Sequence, residues 1–193
     1  MPDAQMTRRD LLGRGAAAVA FGTWPRTGFQ EPSAAGDGEQ EPAAIVLGED
    51  EGELLISGRR RAPMRLKIDS ASAKGVSMSM VVSEVPPGTA IPVHRHHNED
   101  ELIFIHAGEG VLTVGARTRR VSAGAMLYGP RGIWHGIENR GTETLVWCAI
   151  FTPAGFEQFF KEVGVAPGRE HELPSADRVT AIAARYGLEF RDG

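Results

Sequence analysis

Short stretches in which apolar and polar residues alternate recur along the chain from about residue 53 onward. The clearest covers residues 76–82, where the even-numbered positions carry only Val and Met and the odd-numbered positions carry Ser77, Ser79 and Val81. Successive side chains on a strand point to opposite faces, so a period of two residues predicts a strand with one face in a core. We therefore expect a half-buried strand in this segment.

The same pattern predicts ten strands, which are separated by turns rich in Gly, Pro and polar residues. They span residues 54–56, 64–68, 76–85, 91–96, 101–106, 110–114, 119–121, 125–128, 134–139 and 144–151. Many short strands with such punctuation are typical of an antiparallel sandwich or barrel. The sequence therefore predicts an all-β fold.

A helical period follows the last predicted strand. Residues 156–163 place four apolar side chains at the spacing of one helix face, and Gly164 follows as a stop signal. A second apolar stripe of the same period runs from residue 179 to residue 186, after Ser175 and before Gly187. We therefore expect one or two short C-terminal helices that pack on the barrel.

The residues that are candidates for a functional site lie between residues 94 and 135. His94 and His96 are two residues apart in a predicted strand, so their side chains point to the same face. After a polar turn, Glu101 begins the next strand, which we expect to return alongside the first and to bring its carboxylate near the two imidazoles. His135 follows a second turn and approaches from a different strand.

Three imidazoles and a carboxylate form a mixed nitrogen and oxygen set that suits one divalent transition metal ion, namely Mn, Fe, Co, Ni, Cu or Zn. The set contains no thiolate, which argues against a structural zinc site. Glu99 is an alternative carboxylate ligand, and strand spacing alone leaves Glu99 and Glu101 both open. We expect His97 to be exposed, and we interpret His106 and His171 as surface or core residues without a role in the site.

Two motifs frame these residues. The first is Gly88-(5)-His94-Arg95-His96-(4)-Glu101-(6)-Gly108 and the second is Gly124-(5)-Pro130-Arg131-Gly132-(2)-His135-(3)-Asn139, with intervening residues counted in brackets. The pair resembles the two sequence motifs of the cupin family over about residues 53–164. The resemblance implies a small double-stranded antiparallel β-barrel, or jelly roll, with a metal ion in its mouth held by His94, His96, Glu101 and His135. The family spacing to Gly108 also favours Glu101 over Glu99.

The resemblance does not fix a reaction, because cupins include dioxygenases, decarboxylases, isomerases and proteins that only bind. Four protein ligands leave one or two positions open on a metal that prefers five or six, as a catalytic site requires. We therefore expect an oxidoreductase similar to the single-domain, quercetinase-like dioxygenases, with a small enol or aromatic substrate. The alternatives are a non-catalytic cupin that binds a small molecule through its metal, and a decarboxylase or isomerase in which the metal is a Lewis acid.

The substrate pocket is predicted from strand parity. Counting from Glu101, we expect Ile103 and Ile105 to line it, together with Met126 and Tyr128, which share a face of a facing strand. Such an apolar wall suits an aromatic or hydrophobic small molecule. No residue is assigned as the catalytic acid or base.

Charge and cysteine content exclude several classes of partner. The net charge is −4, and no Lys/Arg-rich aromatic surface is visible, so we expect no nucleic-acid partner. The three arginines at residues 59–61 are interpreted as a solvated turn, as is Arg131, the one nearby candidate for binding an acidic substrate. Cys148 is the only cysteine, so no intrachain disulfide forms, and its apolar neighbours predict a buried strand thiol.

The first residues resemble a twin-arginine export signal. Arg8 and Arg9 precede a weakly apolar run at residues 13–21, which is too short for a bilayer span of about 20 residues. We therefore expect a signal peptide at residues 1–35, a periplasmic or extracellular protein, and no membrane anchor after signal removal. A flexible linker at 36–52, the cupin domain at 53–164 and a helical tail at 165–193 complete the expected organisation.

An apolar stretch at residues 43–47 lies outside the predicted barrel. It needs a surface to cover it, and an unpaired barrel edge would otherwise be exposed to solvent. Barrels of this family usually pair. We therefore expect a homodimer.

Overall fold

The computed structural model of the protein describes residues 44–58, 60–69 and 75–191, which belong to one compact unit. The expected signal peptide at residues 1–35 and the first part of the expected linker lie outside the described residues. Within the described ranges, no helix is both long and apolar enough to cross a membrane.

Eleven strands and two α-helices make up the described part of the chain. The strands are β1 (Glu53–Ser57), β2 (Ala62–Ile68), β3 (Ser79–Val85), β4 (Ala90–His96), β5 (Asp100–Ala107), β6 (Glu109–Val114), β7 (Arg117–Ser122), β8 (Met126–Gly129), β9 (His135–Glu138), β10 (Leu145–Thr152) and β11 (Leu188–Phe190). The helices are α1 (Glu157–Val163) and α2 (Ala176–Arg185), with a short 3₁₀ turn at Glu170–Glu172 between them. Each of the ten strands predicted from alternation corresponds to one of β1 to β10.

The strands form two sheets around a common core. The six-stranded sheet has the order β1-β2-β3-β10-β5-β8, and the five-stranded sheet has the order β11-β4-β9-β6-β7. Every strand pair is antiparallel. The prediction of an all-β, double-stranded antiparallel barrel with short C-terminal helices is therefore confirmed.

The core draws its buried side chains from both sheets, for example Val81 and Ile103 from one and Leu112 and Ile137 from the other. Beside the sheets, β10, α1 and the residue just before α1 contribute a group of contacting aromatic rings, namely Phe151, Phe156, Phe159 and Phe160. Burying a side chain of this kind contributes roughly 1.5–3 kcal/mol. The apolar face of α1 therefore fixes the helix to the barrel.

Strand β3 faces the core with the less apolar side of its alternating pattern. Val81 on that side is fully buried, whereas Met80 and Val82 on the other side are half-buried. The inner side also carries Ser83, whose hydroxyl donates to the Pro63 carbonyl at 2.8 Å. A buried hydroxyl with a backbone partner carries little penalty, so alternation alone leaves the choice of inner face open.

The tail at residues 165–193 is not only helical, which corrects the expectation from the sequence. Strand β11 pairs with β4 and places Leu188 opposite His96 and Phe190 opposite His94. Three residues are too few to show a recognisable period, so the sequence does not predict this strand. The tail thereby adds a strand to the sheet that carries the histidines.

Candidate metal centre

Four side chains converge from both sheets. His94 and His96 lie on β4, His135 lies on the neighbouring β9, and Glu101 lies on β5. His94 and His135 are direct cross-strand partners, so their side chains share one side of the five-stranded sheet. Strand β5 belongs to the other sheet and does not run alongside β4. The expected hairpin is therefore absent, and Glu101 reaches the histidines across the barrel.

The four candidate ligand atoms of this cluster lie within 4.8 Å of one another. Glu101 Oε2 is 2.6 Å from His135 Nε2, 3.3 Å from His96 Nε2 and 3.9 Å from His94 Nε2. All four residues are buried, with exposed fractions of 7% or less. Buried imidazole nitrogens around one carboxylate oxygen form a cluster that is able to bind a metal ion.

Backbone carbonyls set the tautomers of two of the histidines. Nδ1 of His94 lies 2.8 Å from the Pro92 carbonyl, and Nδ1 of His135 lies 2.8 Å from the Ile133 carbonyl. A carbonyl oxygen only accepts hydrogen bonds, so each Nδ1 carries a proton and donates it. Each Nε2 is then the atom that faces the centre of the cluster, which is how histidine ligands are held in metal sites.

His96 has an incomplete environment. Both of its ring nitrogens are fully buried, and neither forms a hydrogen bond with any described residue. Nδ1 faces Glu99 Oε2 at 3.7 Å, which is beyond hydrogen-bond range, and that oxygen is likewise without a partner among the described residues. Unsatisfied buried polar atoms cost roughly 1–3 kcal/mol each. A cation at Nε2 would complete the site, with Glu99 behind His96 and Glu101 as the carboxylate ligand.

The charges of the cluster are coupled. Burial, and then the neighbouring His135, lower the pKa of His94 to about 3. Burial also opposes a charge on His96, but Glu101 and Glu99 outweigh it and raise the pKa of His96 to about 9. Burial favours neutral Glu101, yet His135 and His96 hold the pKa of Glu101 well below its usual range. In the metal-free protein these shifts favour a proton on His96 beside an ionised Glu101.

The cluster forms part of the wall of a cavity of about 360 Å³. Most of the wall is apolar and comes from both sheets and both helices, and it includes Ile103, Trp147, Phe156, Phe159, Val179 and Phe190. Ile105 is fully buried in the core and does not lie on this wall. Of the two isoleucines expected in the pocket, the structure therefore places only Ile103 there.

Met126 and Tyr128 do not line the cavity, which corrects the prediction. They are 62% and 56% exposed on the outer side of β8. Leu127 is the cross-strand partner of Ile103 and shares its inner side, so the residues that flank Leu127 point outward.

Cys148 is half-buried on β10, whereas the sequence predicts a buried thiol. This partial burial raises the pKa of the thiol.

Two arginines differ in their relation to the cavity. Arg131 stays half-exposed and donates from Nε to Asp100 Oδ1 at 3.2 Å. Arg60 reaches the cavity wall, although its turn is predicted to be solvated. Nothing in the sequence separates Arg60 from its exposed neighbour Arg61, because the geometry of the turn between β1 and β2 decides which side chain points inward.

Comparisons with known proteins agree with this fold. The cupin domain family matches residues 81–151. An uncharacterised protein of Methanocaldococcus jannaschii is 32% identical over 85 residues, which cover 44% of this chain and 68% of that protein. The oxalate-binding protein of Thermotoga maritima is 33% identical over 67 residues, which cover 35% of this chain and 55% of that protein. The crystal structure of a predicted oxalate decarboxylase from Thermotoga maritima matches with a TM-score of 0.51 and 24% identity over 56% of this chain and 99% of that chain.

The chain belongs to the cupin family. The matched residues 81–151 contain all four side chains of the buried cluster. The aligned segment spans about half the length of the oxalate-binding protein, and the likeness to the crystal structure concerns the fold alone. Membership of the family therefore establishes the scaffold and a possible metal site, and the reaction has to be argued from this site.

Proposed function

We propose that the protein is a mononuclear-metal cupin enzyme, a dioxygenase-type oxidoreductase that acts on a small enol or aromatic substrate. The observation that carries the proposal is the place of the cluster of His94, His96, Glu101 and His135 in the wall of a largely apolar cavity. Four protein ligands leave one or two coordination positions for other groups. A redox-active divalent ion held there would supply Lewis-acid polarisation and one-electron chemistry.

The chain's own residues prepare this site in three ways. The Pro92 and Ile133 carbonyls hold His94 and His135 in one tautomer. The ring of Phe156 meets the ring of His96 edge-on, with 4.4 Å between centroids, and fixes the orientation of the imidazole. The wall of the cavity is largely apolar, so charges there interact more strongly than they would in solvent.

Oxygen consumption tests this proposal. Protein purified without added metal is analysed for bound elements, stripped, reloaded with each candidate ion, and offered flavonols, small enols and organic acids. We expect oxygen uptake with a redox-active ion and none from His135→Ala. The matched control is His106→Ala, which removes an exposed histidine of β5 and should retain full activity. If the metal-loaded protein takes up no oxygen with any substrate, the dioxygenase proposal is wrong.

A non-oxidative function also has a specific observation in its favour. The relative from Thermotoga maritima is an oxalate-binding protein. We therefore keep as a second proposal a cupin that binds a small acid through its metal, or that uses the metal as a Lewis acid in decarboxylation or isomerisation. Calorimetry with organic acids, followed by mass spectrometry and chromatography of the recovered ligand, separates these cases. An unchanged ligand indicates binding, loss of carbon dioxide indicates a decarboxylase, and equal mass with altered retention indicates an isomerase.

We also propose export through the twin-arginine route to the periplasm or beyond. The pair Arg8 and Arg9 before a short, weakly apolar run supports it. Export in the folded state would let the site take its metal before competing ions outside the cytoplasm were met. The double substitution Arg8→Lys and Arg9→Lys should block export, measured by cell fractionation, and unchanged export would rule out this route.

We also propose that the protein forms a homodimer. Val46, in the apolar stretch before β1, is 93% exposed, and Phe104 and Met126 on the outer side of the six-stranded sheet are 39% and 62% exposed. A second subunit that covered them would remove apolar surface from water. A chain that begins at Gly48 should dimerise more weakly or be less soluble by light scattering. Stable, soluble monomers at both lengths would exclude the dimer.

A further inference from the structure

We propose that the end of the cavity away from the metal cluster is an anion subsite, formed by Arg60 and Trp147, that selects amphipathic carboxylic acids. This inference rests on the proposed function only in that the same cavity receives the substrate. It names the substrate class more closely, as an apolar body with a carboxylate at the end opposite the metal.

Arg60 is a cation with no carboxylate partner in the part of the chain that the structure describes. Its Nη1 donates to the Ala90 carbonyl at 3.3 Å, and its Nε is fully buried with no hydrogen-bond partner in the described part of the chain. Burial lowers the pKa of the guanidinium to about 10, and no described carboxylate counteracts this. The group is still charged at neutral pH. Arg60 as a whole is half-buried, and a charge held against an apolar wall is costly unless it is paired, so we expect the partner of its buried Nε from outside the described chain.

Trp147 supplies a second unsatisfied donor. The residue is 3% exposed, and its Nε1 is fully buried without a hydrogen-bond partner among the described residues. Arg60 and Trp147 both line the cavity. An indole N–H and a guanidinium can only donate, so the two groups together call for an acceptor. Carboxylate oxygens are the acceptors with which such donors form their strongest hydrogen bonds.

The two donors lie well away from the metal cluster. The carbonyl that holds Arg60 lies four residues before His94 on β4. Trp147 lies four residues before Phe151 on β10, and Phe151 is the cross-strand partner of Glu101. Four strand residues span roughly 13 Å. A ligand that reaches from the cluster to the donors is therefore comparable in length to a medium-chain fatty acid or a two-ring aromatic acid.

The wall between these ends suits the body of such a ligand. It is built largely from aliphatic and aromatic side chains, including Ile91, Ile137 and Phe159. These side chains offer no acceptor to Arg60, so the anion has to arrive with the ligand. An uncharged alcohol of the same shape would fill the apolar space but offer the two donors one neutral hydroxyl oxygen in place of two charged oxygens, and a site of this kind discriminates against ligands that pair its polar groups poorly.

Calorimetric titration of the metal-free protein with octanoate and with octan-1-ol tests the subsite. Removing the metal eliminates the other strong site for a carboxylate and makes the result independent of catalysis. The variants are Arg60→Met, which keeps an apolar stem, Arg60→Lys, which keeps the charge, and Trp147→Phe, which keeps a ring. The matched control is Arg61→Met, which removes the same charge from an exposed position in the same turn.

We expect the native protein to bind octanoate more tightly than octan-1-ol. Arg60→Met should weaken octanoate binding roughly tenfold to a hundredfold, as expected for loss of a charge-assisted hydrogen bond. It should change octan-1-ol binding far less, because a neutral hydroxyl forms a weaker hydrogen bond with a guanidinium than a carboxylate does, and retained binding also shows that the cavity is intact. Arg60→Lys should restore part of the affinity, Trp147→Phe should lose several-fold, and Arg61→Met should match the native protein.

Equal octanoate affinity in the native protein and Arg60→Met would overturn the subsite, as would a native protein that binds octanoate no better than octan-1-ol. Failure of the oxygen-consumption assay would leave this binding result untouched, because the titration uses no metal. Conversely, loss of the subsite would leave oxygen uptake at the metal possible. The two proposals therefore fail separately.

Discussion

His96 and His97 are consecutive in the chain, yet they belong to two different regions of the molecule. His96 is 2% exposed and faces Glu101 in the buried cluster, with 3.3 Å between Nε2 and Oε2. The side chain of His97 is 47% exposed and lies 2.8 Å from Glu189 Oε2 on β11. Both regions pair histidine with glutamate, and they differ in burial and in what else surrounds the carboxylate.

The side chains of the exposed region are paired with one another, whereas the buried region contains a histidine without a hydrogen-bond partner among the described residues. Glu189 accepts hydrogen bonds from Arg95 Nε at 2.9 Å and pairs with His97, and solvent reaches all three side chains. In the buried cluster, three imidazoles surround one carboxylate, and His96 lacks a hydrogen bond to any described residue. The same side-chain types therefore link two strands at the surface and form a cluster able to bind a metal ion in the interior.

Removing one imidazole from the buried cluster should have the largest effect. We expect His135→Ala, His94→Ala and His96→Ala each to lose bound metal, because the three remaining donors compete poorly with water for the ion. His97→Ala, one position along the chain, should keep full occupancy. Elemental analysis after gel filtration measures this, and full occupancy in all three buried variants would erase the difference between the regions.

The next largest effects are expected at the two glutamates near His96, and the two substitutions should differ in how much metal affinity they remove. Glu101→Gln removes a ligand and should abolish tight binding of the ion. Glu99→Gln alters a partner behind the ligand and should weaken metal affinity roughly 10–100-fold. Competition with a chelator measures both affinities. A greater loss from Glu99→Gln would make Glu99 the ligand and restore the alternative that strand spacing leaves open.

Metal affinity should depend on pH through His96. Its pKa is raised from 6.5 to about 9 in the metal-free protein, so the incoming ion must displace a proton below that pH. We expect affinity to rise about tenfold per pH unit up to about pH 9 and then to level off. The same raised pKa stabilises the metal-free fold fully below pH 6.5, and this contribution is lost as pH rises through 9. A chelator competition that gave a flat profile between pH 6.5 and 9.5 would contradict this account.

The smallest effect is expected at the surface. Arg95 and His97 hold the pKa of Glu189 below its usual value, so the contact stabilises the fold above the unfolded pKa of that carboxyl and fades as pH falls through its folded pKa. Glu189→Gln should therefore lower the melting temperature slightly at neutral pH and hardly at all in acid. Metal content should stay at the native level. A loss of metal in this variant would show that the surface contact positions the buried cluster.

Alternation and spacing predict most of the scaffold because they are local properties of the chain. The ten strands follow from period-two patterns, and His94 and His96 share a face because they are two residues apart. The predictions that are wrong depend on how distant segments of the chain pair with one another. The inner side of β8 is set by the register of Leu127 with Ile103, and no local pattern encodes that register.

The sequence does not predict that Arg60 lies on the cavity wall, for a similar reason. A run of three arginines in a turn is ordinarily solvated, and the packing of β4 against that turn brings Arg60 to the cavity wall. The short β11 has too few residues for a period to show. Local sequence therefore identifies the four side chains of the buried cluster well and the walls of the cavity poorly.

The pairing of β11 with β4 has a consequence for the timing of assembly. All four side chains of the cluster have been synthesised by residue 135, but residues 188–190 complete the sheet that holds His94 and His96. While the chain is still growing, β4 is an edge strand whose backbone groups are free on one side. Phe190, which closes part of the cavity wall, arrives in the same late step. We expect a nascent chain that carries every ligand to capture metal loosely, and to retain it only once this C-terminal strand has docked.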